Sequence, residues 1–296
     1  MGARNRTIGR ATVATVSEPN RPDSLARANA QRRNSATLSA MTILPAVSLP
    51  IALAWGALPG AGIVAGALLG VYAPLSHRSV ARAMALGAGL LLAAAAVELA
   101  AEVTRTHPWI GVAALLAGAA TFSAANAWLS RRGAKHRKRC GECVAQSSEA
   151  DVPNSGLAIA MGTAMDAVPE AIVLGLSLHA HGPNAALIAA ITLGNLPEAM
   201  SASAGMRAAR RSVRWILGLW LLISAATTLL TGVGYLFAGV LTAHDALLMQ
   251  AFGAGALLAM VSETLLPEAA HEAPGFSGLV AATGFGALLL ISAYAH

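Results

Sequence analysis

The sequence is poor in charged residues and in cysteine. Only 11 % of its 296 residues are charged, whereas soluble globular domains have about 25 %. This difference argues against an ordinary soluble enzyme. The two cysteines exclude a fold held together by several disulfides. Enzyme motifs are missing as well, since the sequence contains no H-E-x-x-H, no G-x-S-x-G and no P-loop. We therefore expect no enzymatic activity.

Long hydrophobic runs take the place of these features. Hydrophobic residues make up 56 % of the chain, and the mean hydropathy is +0.61. A helix that crosses a bilayer needs about 20 apolar residues, and eight runs reach that length. They cover residues 49–72, 80–103, 109–129, 154–178, 184–206, 213–239, 245–267 and 276–295. Glycine and alanine are dense in all of them, as is typical of closely packed membrane helices. The sequence predicts an all-α polytopic membrane protein with eight transmembrane helices.

The net charge of +6 is concentrated near the start of the chain. Residues 1–40 contain seven arginines against two acids and show no hydrophobic periodicity. Such a segment is predicted to be disordered, because it has too little apolar surface to fold. A start of the protein at Met41 and a targeting role stay open as alternatives. No aromatic residue interleaves the arginines, so we expect no nucleic-acid partner. Residues 41–296 are predicted to form the membrane domain.

The basic residues of the loops predict the orientation of this domain. Arginine and lysine are frequent in the turns after the first and fifth runs and in residues 130–153 after the third, whereas the loops on the opposite side contain only Arg105. Loops rich in Lys and Arg face the cytoplasm. Residues 130–153 are therefore predicted to be a basic cytoplasmic loop, and eight crossings put both termini outside a cell membrane.

Seven carboxylates lie inside the hydrophobic runs or near their ends, and no lysine or arginine lies deep in any run. Ionisable groups are costly in a membrane and by default mark an ion or substrate pathway. Carboxylates without basic partners need cations to stay ionised. The sequence thus predicts an interior that attracts cations. The seven residues are Glu98, Glu102, Asp166, Glu170, Glu198, Glu263 and Glu268.

A Pro-Glu-Ala motif occurs in the middle of both the fourth and the fifth run. Asp166 and Glu170 are four residues apart and share one helix face, as do Asn195 and Glu198 at a spacing of three. Each proline also frees a backbone carbonyl one turn earlier. Side-chain and carbonyl oxygens then lie together at mid-depth, which suits a cation. These four residues are the predicted metal ligands.

The second and seventh runs share another pattern. The segment Gly87–Gly89 is followed by Glu102, and Gly253–Gly255 is followed by Glu268 at the same spacing. The second and seventh of eight spans cross the membrane in opposite directions. The pattern therefore predicts inverted repeats, which are typical of secondary transporters with a site at the repeat interface.

Together these residues resemble the ZIP family of divalent metal transporters over roughly residues 49–296. The resemblance rests on the two Pro-Glu motifs, on the segment Glu263–Glu268 in the seventh run and on the charged loop after the third. It implies a 3+2+3 order of eight helices, both termini outside, and metal uptake into the cytoplasm. It also matches Glu170 and Glu198 to the glutamates of the family's metal-binding motifs.

The sequence departs from the family pattern at the site itself. Asp166 stands where the family's fourth-helix motif H-N-x-P-E-G has histidine, and Ala167 stands where it has asparagine. Oxygen ligands without imidazole suit harder cations such as Mn²⁺, with Fe²⁺ intermediate, better than Zn²⁺. Many family members carry an acid in the sixth helix that supports a second metal. Residues 212–239 contain none, so a mononuclear and a binuclear site both stay open.

Other polar residues are predicted to lie along a route to and from this site. Glu98 and Glu102 are placed at the outer entrance. His179 and His181 would capture metal there or, in the favoured interpretation, are simply solvated surface residues. Glu268, His271 and Glu272 are placed at the inner end of the seventh run as an exit, and Glu263 is a further pathway candidate. In the loop after the third run, His136, Cys140 and Cys143 form a weak metal-binding pattern, and a flexible basic loop is the favoured interpretation.

The predicted function is transport of divalent cations, namely zinc, iron, manganese or a similar metal. The alternative is a permease of another class that uses the buried acids for proton coupling. The expected partners are the metal cation as substrate and the lipid bilayer, with a homodimer as a further option, and no resident cofactor is expected.

Overall fold

The computed structural model describes residues 47–134 and 155–295, and within them it contains helices and no strand. Eight helices in this part of the chain are long and apolar enough to cross a membrane. The predicted fold class, an all-α polytopic membrane protein, is confirmed. The helices are α1 Leu49–Tyr72, α2 His77–Thr106, α3 Pro108–Leu129 with a terminal turn Ser130–Ala134, α4 Ser155–His181, α5 Ala185–Ala208, α6 Val213–Ala238, α7 Ala243–Glu272 and α8 Ser277–Ala295.

The starts of four helices follow from short polar residues at the N-cap. Each of these side chains accepts a hydrogen bond from the backbone N–H three residues later, which satisfies a donor that the first helical turn leaves unpaired. The four capping residues are Ser76, Asn184, Ser212 and Thr242.

Both α2 and α7 change from α-helix to π-helix after their Gly-Ala-Gly segments. The π-helical part is Ala94–Ala100 in α2 and Val261–Leu265 in α7. Each contains one glutamate, Glu98 or Glu263. A π-helical turn is rare and frequently found at functional sites. Its presence at matching places in α2 and α7 is a structural counterpart of the repeat seen in the sequence.

Glycine contacts show the same repeat. Seven of the described glycines lie so close to a neighbouring helix that an added Cβ would come within 2.2 Å of a facing carbonyl oxygen, and four of them follow the repeat. The contacts of these four glycines form two equivalent pairs. Each residue of one pair has a counterpart in the other pair, and the distance along the sequence between counterparts is the same in every case. One pair joins α2 to α8 and the other joins α7 to α3. The contacts are Gly89 with Ala281 and Gly284 with Leu86, and Gly255 with Leu115 and Gly118 with Phe252.

The eight helices pack as two groups of four. In the first group, α1 contacts α5 and α6, and α6 contacts α4; in the second, α2 contacts α8 and α7, and α3 contacts α7. The groups meet where α2 packs on α5 and where α4 packs on α7. Exchanging α1 with α6, α2 with α7, α3 with α8 and α4 with α5 maps each of these contacts onto another or, for α1–α6 and α2–α7, onto itself. Equivalent helices run in opposite directions, so the two three-helix units form an inverted repeat around α4 and α5.

Because the helices alternate in direction, one face of the bundle carries most of the basic residues. Within the described residues, this basic face includes the start of α2 with Arg78 and Arg82, the end of α3 with Arg131 and Arg132, and the α5–α6 turn. Arg105 lies at the opposite face, at the end of α2. The predictions for residues 1–40 and for His136, Cys140 and Cys143 fall outside the described residues.

Candidate cation pathway

The four predicted metal ligands are all buried in the centre of the bundle. Asp166 is 1 % exposed and Glu170 is 2 % exposed on α4, and Asn195 and Glu198 are each 5 % exposed on α5. Both helices contain a proline at this depth, Pro169 and Pro197. Burial of three carboxylates in one pair of helices is costly. The cost makes a purely structural role for all three a poor explanation.

Glu170 and Asn195 come together at a small cavity. Its volume is about 10 Å³, close to the space that one water-sized group needs. Asp166 and Glu198 are not among the described residues that line it. The polar part of the lining consists of Glu170, Asn195, Thr227 and Thr231.

The two threonines on α6 were missed by the sequence interpretation, which looked in that helix for an acid. Thr227 is 5 % exposed and Thr231 is 1 % exposed. Their hydroxyls donate to carbonyls of the preceding turn, Thr231 to Thr227 at 3.0 Å and Thr227 to Ser224 at 2.9 Å. Each hydroxyl oxygen therefore retains lone pairs for another partner. The signal in the sequence is the Thr-x-x-x-Thr spacing, which puts both on one face of α6.

The arrangement does not by itself form a metal cluster. Among the residues that the structure describes, no three His, Cys, Asp or Glu side chains are grouped closely enough to hold a metal ion. A cation held by Glu170 in this conformation would take its other ligands from Asn195, hydroxyls or backbone carbonyls. Such an all-oxygen set is the type that hard divalent cations accept.

At the face opposite the basic face, two acids of α2 contact the turn between α4 and α5. Glu98 accepts a hydrogen bond from Asn184 Nδ2 at 2.6 Å. The carboxylate of Glu102 lies 3.5 Å from His181 Nε2, and both side chains are about half exposed. These contacts join the two four-helix groups at the predicted entrance. Asn184 was not predicted, although its position directly before α5 marks it as a capping residue.

The histidines at this face contact different groups. His181 faces Glu102, whereas the ring of His179 lies 5.0 Å from that of Tyr235 on α6. A second edge-to-face contact joins His107 and His244, with ring centroids 4.7 Å apart. His179 and His181 therefore do not share a partner in the described residues, although both remain exposed at the predicted entrance.

Near the basic face, Glu263 contacts α3. Its carboxylate accepts hydrogen bonds from the Ser123 hydroxyl and from Asn126 Nδ2, the latter at 2.8 Å. Asn126 is a buried polar residue of α3. Further along α7, Glu268 is buried at 7 % exposure and His271 is exposed. The side chain of Glu272 lies outside the described part of the chain.

Acidic side chains thus occur at three levels of the bundle, from the α4–α5 turn through its centre to the end of α7. Eight apolar helices enclose them. The chain is a polytopic membrane protein. No protein-family model matches it, and no curated protein matches it either.

Proposed function

We propose that this membrane protein transports divalent cations along the acids at these three levels. The observation that carries the proposal is the burial of Asp166, Glu170 and Glu198 in the middle of two membrane-spanning helices. Ionisable side chains inside membrane spans are costly and by default mark an ion or substrate pathway. Carboxylates along such a pathway attract cations, which is how a transporter gains affinity for them.

The order of the acids along the helices supports a continuous route. Glu98 and Glu102 lie at the end of α2 that meets the α4–α5 turn, and the central acids lie about halfway along α4 and α5. Glu263 and Glu268 lie towards the end of α7 at the basic face. The inverted repeat supports the same proposal, because transporters of this architecture place their sites at the repeat interface near mid-membrane.

The resemblance to the ZIP family extends the proposal to direction and location. It favours uptake through the cell membrane, with the basic face in the cytoplasm and both termini outside. The ligand set favours Mn²⁺ or Fe²⁺ over Zn²⁺, since Glu170, Asn195 and the α6 hydroxyls offer oxygen and no imidazole.

A proton-coupled permease is the second candidate. One observation favours it, namely that the described residues contain no group of three metal-binding side chains. Carboxylates that accept hydrogen bonds from neutral donors, as Glu98 does from Asn184 and Glu263 does from Asn126, also serve in proton relays.

Uptake into proteoliposomes distinguishes the two candidates. The purified chain is reconstituted with a metal-sensitive dye and a pH dye inside, and Mn²⁺, Fe²⁺ and Zn²⁺ are offered singly and in competition. We expect metal uptake that falls at least tenfold in Glu170→Gln and in Glu198→Gln. Asp245→Asn is the control, because Asp245 is an exposed acid at the start of α7.

Metal uptake that is unchanged in both glutamine variants would overturn the proposal. A metal-independent pH change inside the vesicles that both variants abolish would establish the proton-coupled candidate instead. The dye signals separate these outcomes in one experiment, so a negative metal result still identifies the function of the buried acids.

A further inference from the structure

An apolar cavity of about 270 Å³ lies between α3, α4 and α7, separate from the small polar cavity around Glu170. Its lining is almost entirely hydrocarbon and aromatic. An apolar cavity does not hold water well, because water there finds no hydrogen-bond partners. The residues that matter for the argument are Phe122, Ala125, Met165, Pro169, Met249 and Phe252.

The cavity lies beside the helix that is most exposed to the surrounding bilayer. Only 17 % of the apolar window of α3 is buried inside the bundle, the lowest share of the eight spans. Thr121 on the rim is exposed and Ala125 is half-buried, so the cavity reaches the lipid-facing surface between α3 and its neighbours. At this depth the medium that fills surface grooves is hydrocarbon.

A basic side chain, Arg132, lies where a lipid with its acyl chain in this cavity would have its headgroup. Thr121, Ala125, Trp128 and Arg132 follow one another at spacings of four, three and four residues, which puts them on one face of α3. The guanidinium of Arg132 lies over the Trp128 ring, 4.9 Å from its centroid. This contact holds an exposed arginine at the edge of the apolar surface.

The distances match one leaflet of a bilayer. Arg132 lies seven positions after Ala125, or about 10 Å along the helix, and the far end of the cavity at Gly118 is about 21 Å from Arg132. The hydrocarbon of one leaflet is about 15 Å thick, half of the bilayer core. An acyl chain whose phosphate lies at Arg132 therefore ends inside the cavity.

We propose that the protein has a binding site for an anionic phospholipid, with the headgroup at Arg132 and one acyl chain in the cavity between α3, α4 and α7. The acyl chain contacts Met165 and Pro169, which precede Asp166 and Glu170 by one residue and lie about 100° from them around the axis of α4. The lipid thus packs against the helix positions next to the two acids. The inference requires only that the chain spans a membrane and does not depend on the proposed transport function.

Photolabelling of the reconstituted full chain tests this site. Two probes carry a diazirine near the end of an acyl chain, one with a phosphatidylglycerol headgroup and one with phosphatidylcholine, each in phosphatidylcholine vesicles. We expect the anionic probe to label peptides of α4 and α7 around Met165 and Phe252 at least fivefold more than the neutral probe. Arg132→Gln is expected to remove that preference, whereas Arg78→Gln, a change of another exposed arginine of the basic face, is expected to retain it.

A filled cavity gives the second arm of the test. Ala125→Phe is expected to reduce labelling of Met165 at least fivefold, whereas Ala124→Phe, which places the same ring on the exposed neighbouring position outside the cavity, is expected to leave it unchanged. Equal labelling by both headgroups in the wild-type chain would overturn the proposal without any variant. Labelling that is insensitive to Ala125→Phe would overturn it as well.

Discussion

The contact between Gly255 and the carbonyl of Leu115 makes a quantitative prediction. A Cβ at Gly255 would lie 1.8 Å from that oxygen, and ordinary contact begins at 3.4 Å, so Gly255→Ala must push α3 and α7 apart by roughly 1.5 Å. Overpacking of this kind costs about 1–3 kcal/mol. At roughly 2–4 °C per kcal/mol for a chain of this size class, we expect the Tm to fall by about 5 °C.

The inverted repeat provides a second, matched measurement. Gly89 is the repeat equivalent of Gly255, and its Cβ would lie 1.9 Å from the Ala281 carbonyl oxygen. Gly89→Ala is therefore expected to lower the Tm by a similar amount. Gly286→Ala is the control, since nothing lies within 4 Å of a Cβ at that position. There the gain in helix propensity is about 0.5–1 kcal/mol, so the Tm should stay equal or rise.

Thermal unfolding of the purified protein in detergent, followed by far-UV circular dichroism, provides the three Tm values. If Gly255→Ala and Gly286→Ala have the same Tm, the close contact at Gly255 does not limit the packing of α3 against α7. A large loss in Gly255→Ala without a comparable loss in Gly89→Ala would refute the claim that the two glycine contacts are equivalent.

Three further predictions concern the pathway. Asp166→His is expected to raise the Zn²⁺-to-Mn²⁺ uptake ratio several-fold in competition, because imidazole suits zinc; an unchanged ratio would count against Asp166 as a ligand. Thr231→Val is expected to lower cation uptake about tenfold. Thr228→Val is the control, since Thr228 lies three residues earlier and outside the cavity lining, and it should leave uptake unchanged. Equal uptake in the two variants would exclude the α6 hydroxyls from the site. Asn184→Ala removes the donor to Glu98 at a cost of about 1–3 kcal/mol, so we expect faster proteolysis of the α4–α5 turn in the reconstituted protein. An unchanged cleavage rate would show that this bond does not hold the turn.

Hydropathy was sufficient to predict the eight helices, because apolar runs of about 20 residues are rarely found except in membrane-spanning helices. It was less accurate at the ends of α2 and α7. Helix α2 begins at His77 and helix α7 extends to Glu272, and both positions lie beyond the predicted runs. Charged and polar residues such as Arg78 and His271 lower the hydropathy there without ending the helix. The π-helical segments were not predictable from the sequence. A π-helix differs from an α-helix only in which backbone carbonyl accepts the hydrogen bond from each N–H, and no residue type specifies that partner.

The candidate site was predicted in part. An acid in an apolar run is conspicuous in the sequence, and Asp166, Glu170 and Glu198 are indeed buried. Their uncharged neighbours are not conspicuous. Thr227 and Thr231 belong to a helix that lies far away in the sequence, and only the packing of α6 against α4 and α1 brings them to the cavity of Glu170.

The π-helical segment of α2 has a consequence for helical phase. A π-turn accommodates one residue more than an α-turn, and one residue corresponds to about 100° of rotation around the helix axis. Before the segment, α2 directs Gly89 at α8; within and after it, Glu98 and Glu102 face the α4–α5 turn. Deletion of Ala96 would restore a uniform register and swing Glu102 away from His181. A single inserted residue thus allows α2 to contact α8 before the π-helical segment and the α4–α5 turn after it.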